Sequence, residues 1–410
     1  MTPPVSSGSR ARVLVSVHNA DRGDVGESWS NHKWIEGLSQ SFDISLVTLA
    51  YPRSEPLSEQ LPGVTLHEVA RLPVVTRFKR LDSMAQPSFM KLYRRARRLA
   101  RSLHKEGRVD LLHSLGPMAI RYPSPFAGLD LPYIHGPIGG SVKAPTAMGL
   151  SAYSERWYVR LRQLDHVRFR HDRWLKRTMR DARRVLAVGP YVADYFADWS
   201  PDRAVYMSET GAERVGDPRV LRDPEVPHIL FVGRMVPSKG VHLLIDALAR
   251  LKALTPYRAT LVGDGLLRTE LEQQVEQAGL TDRVRFTGRI PRDEVFALYA
   301  DADIFAFPSL EEASGNVVFE AMSQGLPCVV AASGGPAAVI DATSGAAVPA
   351  RERNEFVDLF AAALLRFLTD AELRRTCGEA ARQEVESVHL WPRKIEAMRA
   401  VYDDVLAETR

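Results

Sequence analysis

Short apolar runs alternate with polar, turn-forming segments along the whole chain, and their lengths separate strand from helix. RVLVSV (12–17) is a continuous apolar run closed by the turn-rich HNADRGDVGES, as expected of a buried strand. ISLVTL (44–49), VTLHEV (64–69), VDLLH (109–113), PYIH (132–135) and RVLAV (184–188) repeat the pattern. Between most of them the apolar positions fall at helical spacing, as over Ser88–Glu106 and Tyr153–Arg180. Strands alternating with helices predict parallel βαβ units and a layered α/β domain.

The pattern lapses over SETGAERVGDPRVLRDPEVP (208–227), where glycine and proline break every apolar period, and this stretch reads as the linker region. It then restarts. HILFV (228–232), ATLV (259–262), VRFT (284–287), DIFAF (303–307) and PCVVA (327–331) predict strands, with helices over 239–253, 266–278, 292–300, 316–324 and 353–369. The expectation is a disordered tail at 1–10 and two Rossmann-like domains of doubly wound parallel sheet, 11–207 and 208–390. A closing amphipathic helix occupies 391–410, where Ile395, Met398, Val401, Tyr402 and Val405 mark one apolar face. The two halves share an architecture without a close sequence repeat. Such folds bind ligands outside the carboxyl ends of their strands. Neither half carries a G-x-G-x-x-G fingerprint after its first strand, which disfavours a nicotinamide or flavin enzyme.

Composition narrows the classes further. Of 410 residues, 45% are hydrophobic and 25% charged, as in ordinary soluble globular proteins. No apolar run reaches the ~18 residues of a membrane span, and the N-terminus lacks the apolar core of a secretory signal. Cys328 and Cys377 are the only cysteines, which excludes a disulfide framework and a four-cysteine zinc site. A cytoplasmic setting is the expectation. Charge is unevenly split. Through Val205 there are 31 Lys and Arg against 19 Asp and Glu, a net of +12, while the remainder carries −8. An anionic partner for the first half and plain compositional bias both fit that split.

Two clusters carry candidate chemistry. In FVGRMVPSKG (231–240) a strand ends at Gly233, Arg234 follows in the loop, and Lys239 stands where the next helix begins. Two cations beside a helix N-terminus suit a pyrophosphate. A surface loop with two chance cations has the same composition. In PSLEEASGNVVFEAMSQGLP (308–327), Glu312 lies in a loop and Glu320 about one turn into the following helix. A carboxylate accepts two hydrogen bonds and suits a vicinal diol. The plain alternative for Glu320 is a solvated helix face, but its neighbours Val317, Val318, Phe319, Ala321 and Met322 are apolar.

Together with LVGDGLLRTEL (261–271), RVRFTGRI (283–290), HGPIGG (135–140) and the helix from Trp391, these clusters make nearly the whole chain resemble the family 4 glycosyltransferases. The resemblance implies a GT-B fold, in which two Rossmann-like domains face a cleft and the last helix crosses back to the first domain. It implies a retaining enzyme that moves a hexose from a nucleotide sugar to an acceptor hydroxyl without a metal or other cofactor. Arg234 and Lys239 would hold the donor diphosphate and stabilise the leaving group. Glu320 would take the ribose hydroxyls, and Glu312 the sugar hydroxyls with backbone N–H groups of Ser314, Gly315, Asn316 and Val317. Gly233 would border the phosphates, the backbone at Arg289 and Ile290 would read the base, and His135 would stand near the donor sugar and β-phosphate. Gly23, Gly26 and Glu27, where many relatives carry a Gly-Gly pair, would meet the acceptor. The sequence Glu312-Ala313-Ser314-Gly315-Asn316 departs from the family's common E-G-F-G, which bears on sugar selectivity.

The expected partners are a UDP- or GDP-sugar and a saccharide, lipid-linked saccharide or small natural product as acceptor. Polysaccharide, glycolipid or natural-product biosynthesis is the expected setting, and nucleic acid is disfavoured. A sugar-nucleotide epimerase or hydrolase on the same fold, or a non-catalytic sugar-nucleotide-binding protein, would present many of the same motifs. Asp301 and Asp303 resemble a metal-binding D-x-D, but they close a helix and open a buried strand, a structural position. Among the histidines His113 ends a strand and is a weak catalytic candidate, while His18 and His32 read as loop or core, and Cys328 as core. The basic stretches 77–108 and 156–184, interleaved in the first case with Met90, Leu92, Leu99 and Leu103, fit an anionic membrane surface. They equally fit solvated helix faces or a cradle for an anionic acceptor.

Overall fold

A computed structural model describes residues 10–71, 87–149, 169, 171–195, 201–219 and 223–409. The chain forms two compact units. The first comprises Met1–Gly139, His166–Glu209 and Pro392–Arg410, and the second Gly140–Asp165 and Thr210–Trp391. Tail residues 1–9, part of the linker (220–222) and parts of both basic stretches lie outside the described residues.

In the first unit seven parallel strands are ordered β3-β2-β1-β4-β5-β6-β7. They are β1 (Arg12–Ser16), β2 (Asp43–Ala50), β3 (Thr65–Ala70), β4 (Leu111–Ser114), β5 (Tyr133–Ile138), β6 (Arg184–Ala187) and β7 (Ala204–Tyr206). Its longer helices are α1 (Glu27–Leu38), α2 (Pro87–Lys105) and α3 (Arg173–Asp181). The run RVLVSV is buried on both faces, as its continuous apolar pattern requires. Asp172 caps α3, accepting from the N–H groups of Trp174 and Leu175.

The second unit has six parallel strands ordered β10-β9-β8-β11-β12-β13. These are β8 (His228–Val232), β9 (Arg258–Val262), β10 (Val284–Gly288), β11 (Ile304–Phe307), β12 (Cys328–Ala331) and β13 (Gly345–Val348). Its main helices are α4 (Val241–Leu251), α5 (Arg268–Gln277), α6 (Arg292–Asp301), α7 (Asn316–Ser323), α8 (Arg353–Thr369) and α9 (Ala371–Glu384). Phe231, Phe305 and Phe307 stack through the middle of this core. Cys328 is fully buried there.

From Pro392 onward the closing helix α10 (Trp391–Ala407) belongs to the first unit. Its apolar face buries Met398, Val401, Tyr402 and Val405. Tyr402 packs its ring on Phe42 and sets its hydroxyl 2.6 Å from Nδ1 of His113. Gly37 of α1 faces Ile395 so closely that a methyl group there would overlap it. Lys394 is buried over the ring of Trp34 and donates to both the carbonyl and the hydroxyl of Ser208. Burial pushes its ammonium down to about 7.

Two parallel doubly wound sheets and the returning helix agree with the fold read from the sequence. The structure adds β7, β13, α1 and α9, which the hydrophobic pattern alone does not predict.

Candidate active site

Each sheet has one place where its strand order reverses, and there the loops after two neighbouring strands splay apart. In the second unit that place lies between β8 and β11. The loop after β8 carries Gly233, Arg234 and Lys239, and the loop after β11 carries Glu312 and Ser314. The loops are tied directly: Leu310 N–H donates to the Ser238 carbonyl at 2.9 Å. Gly240 is left-handed at φ 67° and packs against the Pro308 carbonyl, so a side chain there would collide with backbone.

Lys239 and Glu312 form an ion pair across these loops, both largely buried, with Lys239 also over the ring of Phe307. Arg234 is exposed and makes no side-chain hydrogen bond or ion pair among the described residues. The two cations thus differ, one held and one open to solvent.

Helix α7 starts at the same edge. Its N-cap is Gly315, left-handed at φ 77° and offering no side-chain cap; Val318 N–H donates to the Gly315 carbonyl at 2.8 Å, which leaves the N–H groups of Asn316 and Val317 for another partner. Asn316 and Val317 open the helix, half-buried. The Ser314 hydroxyl is buried and has no hydrogen-bond partner. One turn in, Glu320 receives the Tyr299 hydroxyl at 3.2 Å and Arg292 at 3.4 Å. Burial nevertheless raises its carboxyl pKa, opposed by Arg292. Glu320 therefore belongs to a buried polar network and not to a solvated face. Arg289 is exposed beyond β10, next to Gly288, while Ile290 packs against the core.

In the first unit His135 lies on β5, 2% exposed, with neither ring nitrogen hydrogen-bonded. Burial, with His113 nearby, pushes its imidazole down to about 3, so it is neutral at physiological pH. His113 is fully engaged: Nδ1 meets the Tyr402 hydroxyl and Nε2 the Gly136 carbonyl, both at 2.6 Å. That corrects its reading as a weak catalytic candidate. It joins β4, β5 and the closing helix. Gly23 donates its N–H to Asp21, and Gly26 is the left-handed N-cap of α1. Glu27 begins that helix and accepts the Met118 N–H at 3.1 Å.

The two aspartates before β11 hold protein. Asp303 accepts the His228 N–H, and Asp301 pairs with His228 and Arg258. On α2, Leu92, Leu99 and Leu103 face the core, which corrects their reading as membrane-facing along with Met90. Met90 alone of the four is exposed, beside Lys91, Arg94, Arg95, Arg98 and Arg101. Arg97 is spent on the carbonyls of Pro125 and Ala127. Trp174 on α3 is half exposed. No described helix is long and apolar enough to cross a membrane.

The family description "Glycosyltransferase Family 4" matches residues 26–207, and "Glycosyl transferases group 1" matches residues 217–384. A D-inositol 3-phosphate glycosyltransferase of Corynebacterium glutamicum is 31% identical over 220 residues, 51% of this chain and 51% of that protein. In the first such matches the chain spans about half or less of the relative's length, from 39% to 51%. Another D-inositol 3-phosphate glycosyltransferase, from Kribbella flavida, is 26% identical across 92% of both chains. The solved structure of Anabaena HepE with UDP-glucose covers 96% of this chain and 99% of its own, with a TM-score of 0.60 at 17% identity, a likeness of fold. The chain belongs to the family 4 glycosyltransferases and has the GT-B fold.

Proposed function

We propose that the protein transfers a hexose from a nucleotide sugar to an acceptor hydroxyl, with retention at the anomeric carbon and no metal ion. One observation carries the reading: the loop with Arg234 and Lys239 and the loop with Glu312 that leads into the α7 N-terminus follow the two strands between which the second sheet reverses its order, and the Lys239–Glu312 pair ties them. Anions are favoured at such a place by helix N–H groups, the helix dipole and fixed cations. The diphosphate of the donor would lie along the α7 N-terminus against Arg234 and Lys239. As the glycosidic bond breaks, charge grows on the departing phosphate, and groups already fixed there lower the barrier without reorganising. Glu320 would accept the ribose hydroxyls, and Glu312 those of the sugar once Lys239 turns to phosphate.

A UDP-sugar is the first donor to test, since the similarly folded HepE was solved with UDP-glucose. Relatives named for D-inositol 3-phosphate support a polyhydroxylated, anionic acceptor. The basic face of α2 and the exposed Trp174 would suit attachment to an anionic membrane surface from the cytoplasm. A thermal-shift screen of UDP-, GDP- and dTDP-sugars tests the donor, because ligands of the folded state raise stability by mass action. Transfer is then assayed with candidate acceptors. Donor turnover without any acceptor would favour an epimerase or hydrolase. Binding without turnover would favour a sugar-nucleotide-binding protein.

A further inference from the structure

Helix α6 packs against α7 and lends it one buried polar group, the hydroxyl of Tyr299. The tyrosine is held on every side. Its ring meets Phe296 edge-on and tilts against Phe305, with centroids 5.8 and 5.7 Å away. Its carbonyl accepts from Arg219 at 2.6 Å. The hydroxyl thus emerges at a fixed point, 3.2 Å from Glu320 Oε2 and 3.3 Å from the Val317 carbonyl oxygen. Those two residues stand three apart, on one face of α7. A phenol has a single proton to give, and the carboxylate is the stronger acceptor.

The two oxygens of Glu320 are held unequally. Oε2 meets the immobile phenol. Oε1 meets Arg292 at 3.4 Å, a largely exposed side chain that also lies 3.7 Å from Glu213 and over the ring of Phe296. An exposed, shared guanidinium fixes a carboxylate weakly. Burial raises the Glu320 carboxyl pKa, and Glu213 pushes it the same way, while Arg292 and the Tyr299 hydroxyl oppose them. Each carboxylate oxygen has room for about two hydrogen bonds, so the phenol occupies one place and leaves the others for a diol. A ring that only filled space would need no hydroxyl: phenylalanine would pack against Phe296 and Phe305 equally well.

We infer that Tyr299 is a positioning residue: its hydroxyl holds Glu320 in place and so sets how strongly the protein distinguishes a ribonucleotide donor from its 2′-deoxy counterpart. This inference rests on the nucleotide-sugar reading and assigns its discrimination of the pentose to a side chain that need not touch the ligand. A carboxylate that wanders accepts a hydroxyl poorly, and one that takes up a proton loses the charge that makes the bond strong. The buried phenol opposes both failures at once.

The test is calorimetry of the full chain with UDP and with 2′-deoxy-UDP, in wild type and in Tyr299→Phe, which keeps the ring and its packing. Wild type should prefer UDP by about tenfold or more, the scale of a hydrogen bond to a charged group. Tyr299→Phe should lose most of that preference while binding 2′-deoxy-UDP as wild type does, which also reports an intact fold. Carbon-13 NMR of the ligand-free protein follows the Glu320 carboxyl, identified by its absence in Glu320→Gln, and its titration should move to higher pH in Tyr299→Phe. Equal wild-type affinity for the two nucleotides, an unchanged preference in the variant, or an equal loss for both would overturn the inference, the last marking a merely structural role. Failure of wild type to bind UDP counts against the nucleotide-sugar reading. The ligand-free titration then decides the positioning alone: a shift upholds it and an unmoved Glu320 overturns it.

Discussion

The ammonium of Lys239 is paired with the carboxylate of Glu312, 73 positions further along the chain. A diphosphate must take that ammonium from the glutamate, so the two compete. Glu312→Gln should therefore bind UDP at least as tightly as wild type while turnover falls by ~10²-fold or more. Lys239→Ala should lose about 1–3 kcal/mol of UDP binding, the scale of a charged hydrogen bond. Calorimetry on both variants decides it: weaker UDP binding in Glu312→Gln would mean the pair does not guard the phosphate site.

Metal independence and retention are tested together. If Arg234, Lys239 and the α7 N-terminus take the charge of the departing diphosphate, as proposed, saturating EDTA should leave the rate within about twofold. Product NMR should show the anomeric configuration of the donor. Strict Mn²⁺ dependence or an inverted product would contradict the proposed chemistry.

The buried, unpartnered Ser314 hydroxyl separates stability from function. If it serves only the fold, Ser314→Ala should melt lower. With no bond to lose, the variant should instead melt at or above wild type, and if the proposed donor site holds, its donor KM should rise several-fold.

Membrane attachment predicts co-sedimentation with anionic vesicles that weakens as salt approaches the ~10 Å screening regime. Each basic residue near such a surface is worth about 1 kcal/mol at low salt. Arg94, Arg95 and Arg98 changed together to Glu should abolish it. Arg97 is left intact, since its carbonyl bonds support the loop at Pro125 and Ala127. Equal recovery in the supernatant with and without anionic lipid would refute attachment.

Acid should act on the buried histidines. Burial depresses His113 to about 4 and His135 to about 3, below the ordinary value near 6.5. Below pH ~6.5 the unfolded chain takes up protons that the folded chain refuses, so stability is full above that pH and drains as pH falls toward 4. Each histidine contributes a slope of up to about 1.4 kcal/mol per pH unit. Tyr402→Phe, which strands Nδ1 of His113, should cost a further ~1–3 kcal/mol in denaturant melts at neutral pH.

The strands were readable because runs such as HILFV and CVVA are apolar on both faces, which only a covered parallel sheet explains. Two escaped. AVY of β7 is a three-residue edge strand, and GAAV of β13 lacks the β-branched bulk that marks a strand. Helix α1 was hidden because Ser28, Ser30, Asn31 and His32 are polar yet buried, so its inward face is apolar only near its end, at Trp34, Ile35 and Leu38. Lys239, Glu312 and Glu320 were legible as charges at strand and helix ends. Their partners were not, since Tyr299 and Arg292 reach Glu320 from a helix that shows nothing unusual in sequence.

Because α10 supplies Met398, Tyr402 and Val405 to a core otherwise made by the first half of the chain, the unit begun first is finished last. On the ribosome Phe42 and His113 await partners that emerge only after the whole of Thr210–Trp391 has been made. The second unit can close as it appears, but the first must persist as an open intermediate with apolar surface uncovered. Nascent-chain stalling before α10 should therefore yield a species that needs chaperone protection, and release of those final turns is the step that ends it.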